Sequence, residues 1–259
     1  MRIGIAGITG RVGQLLIEEV RAAGATVAGG TTRAPEQATG LAAEVPLFTS
    51  MSALAEKCDV VIDFTHADTV VSSARALVGT GVAWVLGTTG LSAEQLGALQ
   101  EASGHMTVVH AATFSPGVTL VQRLARMMGQ ALPAETYDAE IVEMHHRQKV
   151  DAPSGTALAI GQAVALGRGV ALEDVRESGR DGLTGPRQTG AIGFAALRGG
   201  QIVGEHDVLF TSADEQITLS HRSFNRRIYA TGAVRAALWT KGREAGLYNM
   251  EDVLGLPPL

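Results

Sequence analysis

Three glycines at the spacing Gly7-x-x-Gly10-x-x-Gly13 follow directly on the apolar segment Arg2-Ile3-Gly4-Ile5-Ala6. A helical pattern through Leu15, Leu16, Ile17 and Val20 comes straight after them. A strand that becomes a helix over glycines leaves few folds open. Glycine permits the tight turn, lets the backbone approach a pyrophosphate and lets the helix pack close on the strand, while the helix N-terminus attracts an anion. The spacing is not the common G-x-G-x-x-G, so the strand–turn–helix context carries the reading of Gly7, Ile8, Thr9, Gly10, Arg11 and Val12 as a dinucleotide loop.

The same alternation continues. Ala25 to Gly30, Asp59 to Asp63, Val82 to Leu86 and Met106 to Ala111 read as further short apolar strands. Helical stretches fall between them at Val70 to Leu77 and from an N-cap at Ser92 to about Ala102. Near-continuous apolar strands between amphipathic helices predict a parallel sheet covered on both faces. The 32 glycines in 259 residues, against a usual share of about 7%, suit many tight strand-to-helix turns.

After Phe114 the pattern changes. Ser115-Pro116-Gly117 reads as a hinge or helix start, and Val118 to Met128 as a helix. Strand-like segments then dominate at Asp138 to Met144, Gly190 to Leu197, Gln201 to Phe210 and Gln216 to His221. A long loop, Glu177 to Gln188, interrupts them, and such a loop in a compact domain is usually functional or reaches a neighbouring subunit. A helical pattern returns at Gly232 to Ala245. The expected fold is α/β: a doubly wound Rossmann-type dinucleotide domain over 1–114, completed by 227–259, with an inserted α+β domain with a mixed sheet over 115–226.

Composition excludes several classes. A net charge of −5 without a basic block argues against nucleic acid or an anionic membrane as partner. Hydrophobic residues at 46% and charged residues at 18% provide a core and exclude a disordered chain. The single Cys58 excludes an intramolecular disulfide framework and fits a reducing, cytoplasmic location. No apolar run approaches the roughly 18–20 residues of a membrane span.

The chemistry-bearing turns follow strands. Asp63-Phe64-Thr65 and Gly87-Thr88-Thr89-Gly90 both come where ligands bind in an open parallel sheet, outside the strands' carboxyl ends. The second strand ends in Gly29-Gly30-Thr31-Thr32-Arg33 with no carboxylate before Glu36. Arg33 suits a ribose 2′-phosphate and tilts the cofactor toward NADPH without excluding NADH; a solvated surface arginine reads equally well.

The sharpest segment runs from Glu143 to Thr156. His145, His146, Arg147 and Lys149 pack two imidazoles and two cations together at a strand end, and Pro153 precedes an N-cap at Ser154. Free N–H groups of Ser154, Gly155 and Thr156 would form an anion site beside His145 and Lys149. Reduction of a small carboxylated substrate needs such a pocket. A metal site lacks a completing ligand set, and none is expected.

Over essentially its whole length the chain resembles the 4-hydroxy-tetrahydrodipicolinate (dihydrodipicolinate) reductases of bacterial lysine and diaminopimelate synthesis. The carriers are Gly7-x-x-Gly10-Arg11-Val12-Gly13, Asp63-Phe64-Thr65, Gly87-Thr88-Thr89-Gly90, Phe114-Ser115-Pro116-Gly117-Val118 and Glu143-x-His145-His146-Arg147-x-Lys149-x-Asp151-Ala152-Pro153-Ser154-Gly155-Thr156-Ala157. Gly193-Phe194, Gly204-Glu205-His206 and Gly232-Ala233-Val234-Arg235 follow in order. The resemblance implies that His145 is the catalytic proton donor and acceptor, Lys149 a proton donor, and His146, Gly155 and Thr156 substrate ligands. It places Gly7 to Val12, Gly87, Thr88 and Thr89, and Ala111, Ala112, Thr113 and Phe114 along the cofactor, and it implies a homotetramer bridged by the long loop. Two positions depart: many members carry an acidic residue where Arg33 stands, and Asn where Thr113 stands. Another NAD(P)-dependent dehydrogenase and a non-catalytic NADP sensor are the alternatives, and a sensor has no need of the cluster from His145 to Lys149.

Overall fold

The computed structural model describes residues 1–38, 40 and 44–259. The chain divides into two compact units, one of Met1–Pro116 with Arg227–Pro258, the other of Gly117–Arg226 with Leu259.

In the first unit β1 (Arg2–Ala6) leads into α1 (Arg11–Ala22), and β2 (Thr26–Thr31) and the short β3 (Leu47–Phe48) follow. Then come α2 (Met51–Ala55), β4 (Val60–Asp63), α3 (Val70–Leu77), β5 (Ala83–Leu86), α4 (Ala93–Ser103) and β6 (Thr107–His110). With β12 (Gly246–Tyr248) from the C-terminal stretch, seven strands among the described residues pair in the order β12-β6-β5-β4-β1-β2-β3, every pairing parallel. Period-2 alternation explains the unbroken apolar strands. Ile3, Ile5, Val60, Ile62, Val85 and Val109 pack on one face with Leu16, Ile17 and Val20 of α1. Val61, Trp84, Leu86 and Val108 pack on the other with Leu54, Ala74, Leu77 and Leu99. Strand order reverses between β1 and β4, and the crevice at such a switch point is where an open α/β sheet binds ligands.

Helix α4 has the expected N-cap, with a full capping box between Ser92 and Gln95. The C-terminal reading is corrected. The helix expected over Gly232 to Ala245 starts earlier and stops sooner, as Arg227–Trp239, and is followed by β12 (Gly246–Tyr248) and a short helix, Met250–Leu254. Gly242, with φ at +75°, ends helical geometry before Ala245, and pairing of Gly246–Tyr248 with β6 makes the tail a seventh strand.

The second unit contains α5 (Pro116–Ala131, which starts at the boundary), β7 (Asp138–His145), α6 (Gly155–Arg168) and α7 (Leu172–Val175). After them come β8 (Arg176–Ser178), β9 (Ile192–Arg198), β10 (Gly204–Thr211) and β11 (Gln216–Ser223). The strand order is β11-β10-β7-β9-β8, with β10 antiparallel to both neighbours and β7, β9 and β8 parallel. It is a mixed sheet. Ala139, Ile141, Ile192, Phe194, Val208 and Phe210 bury one face against Val121, Ala125, Ile160 and Val164. The long loop is shorter than expected, because β8 takes Glu177 and Ser178 into the sheet. Arg180 and Arg187 fold back from it onto Glu140 of β7.

Candidate functional site

Each unit carries its own cluster: in the first at the carboxyl ends of the parallel strands, in the second where the carboxyl ends of β7 and β9 meet the amino end of antiparallel β10. In the first, Gly7 ends β1 with φ at +66°, a conformation that side chains resist. Its amide donates to Thr31 Oγ1 at 3.0 Å, and the Ile8 amide donates to Thr31 O at 3.1 Å, which ties the glycine loop to the end of β2. A Cβ on Gly13 would stand 2.5 Å from Gly7 O, so only glycine lets α1 pack this tightly on the turn. The N-cap of α1 is Gly10: no side chain caps the helix, and its first turn carries no acid. The leading amides of α1 therefore have no intrahelical partner and no internal anion, which fits a phosphate-binding end.

The neighbouring turns are built for the same crevice. Thr65 donates to Asp63 Oδ1 through its amide at 2.9 Å and its hydroxyl at 2.6 Å, closing the turn after β4. Burial raises the Asp63 carboxyl above the ordinary range. Gly87 stands against Phe64, whose ring also meets Phe114 edge-on with centroids 5.5 Å apart. Buried Thr88 has a hydroxyl without a partner among the described residues, an orphan that a cofactor amide or hydroxyl would satisfy. Thr89 and Ala112 are exposed, Ala111 and Thr113 half-buried, and Thr113 Oγ1 accepts from the Ser115 amide at 3.2 Å. The side chains of Ile8 and Phe114 are committed to the core, which leaves only their backbones for a ligand. Arg11 and Arg33 are exposed, Arg33 two residues past the end of β2.

The second cluster continues the apolar face of the mixed sheet. Along β7 the inward series Ala139, Ile141 becomes Glu143, His145, and along β10 Phe210, Val208 becomes His206. Across the strands Glu143 pairs with His206, and His145 with Arg198. Hydrophobic core gives way to titratable groups on one face. Glu143 is fully buried and accepts from His145 Nδ1 at 2.6 Å, from both Arg198 Nη atoms at 2.8 and 2.6 Å, and from the Ser154 amide at 3.0 Å. Burial alone would raise its pKa, but Arg198, His145 and the Ser154 amide together hold it below the usual value.

His145 is pushed down by burial, with Glu143 pulling the other way and Lys149 and Arg198 adding to the fall. His206 packs edge-on against it at 5.3 Å between centroids, and burial together with His145 and His221 lowers His206 to about 4. Lys149 Nζ donates to both carboxylate oxygens of Asp151 at 2.8 Å. His146 Nε2 lies 2.9 Å from Arg226 Nη2, its other ring nitrogen buried without a partner among the described residues.

Helix α6 begins as expected, with Ser154 as N-cap accepting from the Ala157 amide. One expectation is corrected: the Ser154 amide is not free for an anion but donates to Glu143, and the Ser154 hydroxyl lies 3.1 Å from His206 Nε2. Ser154 is 2% exposed, so the open part of the helix start begins at Gly155, where an added Cβ would meet nothing within 4 Å. Sequence reading gave no role to Glu143, Asp151, Arg198 or His206. For Glu143 the signal was present, since a residue two before His145 on a strand shares its face. Arg198 and His206 arrive through strand register, which has no local mark.

A doubly wound sheet with an uncapped glycine loop, and a second unit with histidines gathered on a buried Glu143–Arg198 ion pair beside an open helix start, define a dinucleotide-dependent oxidoreductase of two units. Comparison with known proteins narrows this. Family models described as Dihydrodipicolinate reductase, N-terminus, and Dihydrodipicolinate reductase, C-terminus, match residues 1–114 and 117–254. The chain belongs to the dihydrodipicolinate reductase family. It is 67% identical over 256 residues to a 4-hydroxy-tetrahydrodipicolinate reductase of Gluconacetobacter diazotrophicus, covering 99% of this chain and 98% of that one. It is 58% identical to one of Granulibacter bethesdensis, covering 99% and 97%. The dipicolinate-bound dihydrodipicolinate reductase from Paenisporosarcina sp. TG-14 superimposes with a TM-score of 0.78 at 25% identity, over 97% of this chain and 98% of that one. An apo scyllo-inositol dehydrogenase from Lactobacillus casei, at 11% identity and a TM-score of 0.59 over 98% and 92%, shares the fold alone. Membership in this family carries NAD(P)H use. Among the described residues no helix is long and apolar enough to cross a membrane, and no three His, Cys, Asp or Glu residues form a metal-binding group.

Proposed function

We propose that the chain reduces 4-hydroxy-tetrahydrodipicolinate to tetrahydrodipicolinate with loss of water, using NADPH by preference, in diaminopimelate and lysine synthesis. The carrying observation is that His145 and the start of α6 share Glu143, with Lys149 of the following loop near enough to act on the His145 ring. The dipicolinate held by the Paenisporosarcina relative supports a planar dicarboxylate as the substrate class.

In this reading Gly155 and Thr156 offer their amides to a substrate carboxylate, and Gly155 leaves room for that carboxylate to approach the backbone. His146 adds a ring nitrogen to the same ligand, and Ser154 acts behind them as the cap. The uncapped N-terminus of α1, with Gly7 to Val12, takes the pyrophosphate. Gly87 to Thr89 and Ala111 to Phe114 flank the rest of the cofactor, with Arg33 on a 2′-phosphate. When bound, the reduced nicotinamide supplies a hydride to C4 of the substrate. The 4-hydroxyl leaves as water with a proton from Lys149 while His145 takes the proton lost from C3. Hydride addition at C4 then leaves an electron pair whose charge Lys149 stabilises, and His145 returns a proton there through its unbonded Nε2.

A cytoplasmic homotetramer completes the proposal. Val142, Met144, Leu197 and Leu209 lie half-buried or exposed on the sheet face opposite the buried one, interspersed with Glu140, Glu205 and Asp207, and a mixed face of this kind suits a subunit interface. Light scattering should return about four times 26.9 kDa, and a monomeric mass at full activity would refute the assembly. The function itself is tested by a coupled assay that feeds the synthase product with NADPH or NADH and follows loss of the reduced-nicotinamide absorbance. Turnover of alcohols or amino acids with none of the dipicolinate precursor would favour another dehydrogenase.

A further inference from the structure

We propose that Glu143 is a positioning residue: it sets the tautomer of His145 and ties that ring to the start of α6. The inference rests on the assignment of His145 as the proton-transfer group. Glu143 is charged and, as a carboxylate, can only accept. Arg198 grips it with a two-pronged pair, Nη1 to Oε2 at 2.8 Å and Nη2 to Oε1 at 2.6 Å, while the Ser154 amide adds a third donor at 3.0 Å. The remaining contact, 2.6 Å from Oε2 to His145 Nδ1, must therefore carry its hydrogen on the imidazole.

This arrangement decides which nitrogen does the chemistry. With Nδ1–H fixed toward Glu143, Nε2 gains and loses the proton. The protonated ring breaks its Nε2–H bond, the proton goes to the substrate atom that holds the electron pair left by hydride addition, and neutral imidazole with Nδ1–H remains on Glu143. The same carboxylate holds the Ser154 amide, so the proton donor and the open amides of Gly155 and Thr156 share one anchor. A shift of Glu143 would move both.

The charges around the ring point the same way. Arg198 from β9 and Lys149 from the loop after β7 are cations facing His145, His206 from β10 is a further imidazole, and Glu143 is the anion among the described residues that favours the imidazolium. Removing that anion while keeping its shape should make the ring harder to protonate.

The test uses the full-length protein. In histidine-labelled wild type, nitrogen NMR above the titration of His145 should show hydrogen on Nδ1 and a bare Nε2, whereas the opposite tautomer would overturn the proposal without any variant. Glu143→Gln should lower kcat by about 10²–10⁴, with KM for the reduced nicotinamide within twofold. In the same variant the fall of activity at high pH should begin at lower pH, a change that a purely structural role would not produce. His145→Gln is measured beside it. If His145→Gln keeps its rate, the reading of His145 fails; if it loses rate while Glu143→Gln keeps both rate and pH profile, the role of Glu143 alone is overturned.

Discussion

Gly204 lies against the imidazole of His145: a Cβ built on it would stand 3.0 Å from Nε2, the nitrogen left unbonded by Glu143. Its φ lies outside the left-handed region, so the backbone alone does not require glycine there. What a side chain there would crowd is the ring, which would have to give by a few tenths of an ångström. Gly204→Ala should press His145 off its present setting, and overpacking of this kind costs about 1–3 kcal/mol. A loss of about tenfold or more in kcat, with cofactor affinity intact, is expected from steady-state kinetics and cofactor titration. An unchanged kcat would mean that Nε2 has freedom the geometry denies it.

Lys149 makes a second kinetic case. Its ammonium is paired with Asp151 rather than isolated, and Asp151 is held below the ordinary carboxylate range chiefly by that bond. Lys149→Met should lower kcat by about 10²–10⁴, the range for a positioned acid. Asp151→Asn should cost far less, because it removes a partner of the lysine and not the proposed proton donor. Equal losses in the two variants would make the pair a structural clasp.

The proposed preference for NADPH rests on Arg33. A charge-assisted hydrogen bond contributes about 1.5–3 kcal/mol, so Arg33→Ala should raise KM for NADPH roughly 10- to 100-fold. NADH has no 2′-phosphate and should be nearly unaffected. If both cofactors weaken alike, the preference lies at another residue.

Stability should depend on pH through the buried histidine. His206 is 3% exposed and lowered to about 4, mainly by burial, so the folded chain resists a proton that the unfolded chain accepts near pH 6.5. Its contribution is complete above that value and is lost as pH falls toward 4. Between pH 6.5 and 5 the loss is about 2 kcal/mol from this group. His206→Gln keeps a hydrogen-bonding group for Ser154 and removes the titration. Thermal unfolding at pH 7 and pH 5 should therefore separate less in the variant than in wild type, and an equal separation would exclude His206 as the source.

The dinucleotide half was legible because its signals are local. Gly7 to Gly13, the unbroken apolar run Val60 to Ile62 and the cap at Ser92 each act within a few residues. Glycine turns and two-sided burial leave marks in a single segment. The second half was legible only in part. His145 and Lys149 stood out by type, but Arg198 reaches Glu143 through parallel pairing of β7 with β9, which joins residues 55 apart. The tail was misread for the same reason: Gly246–Tyr248 is a strand by virtue of β6, a partner over a hundred residues earlier. The Ser154 amide was expected to face a ligand because helix ends leave such groups open, and a buried carboxylate from another strand claimed it first.

The substrate pocket makes the last prediction, and it follows from what remains once Ser154 is used. The amides of Gly155 and Thr156 stand at a helix N-terminus, where the dipole favours an anion and charge-assisted bonds form at short range. An added Cβ at Gly155 meets nothing within 4 Å, so a larger side chain there would enter open space that a carboxylate would otherwise occupy. Gly155→Val should raise KM for substrate. The helix should survive, because its cap is the Ser154 hydroxyl bound to the Ala157 amide, which the change does not touch. Pyridine-2,6-dicarboxylate should compete with substrate for the wild-type enzyme. Pyridine-2-carboxylate, with one carboxylate fewer, should bind at least tenfold more weakly, a step of about 1.4 kcal/mol. In Gly155→Val the gap between the two inhibitors should narrow, because the carboxylate that distinguishes them loses its cradle. Equal inhibition of wild type by both compounds would mean that one carboxylate makes no useful contact, and the dicarboxylate pocket would have to be abandoned.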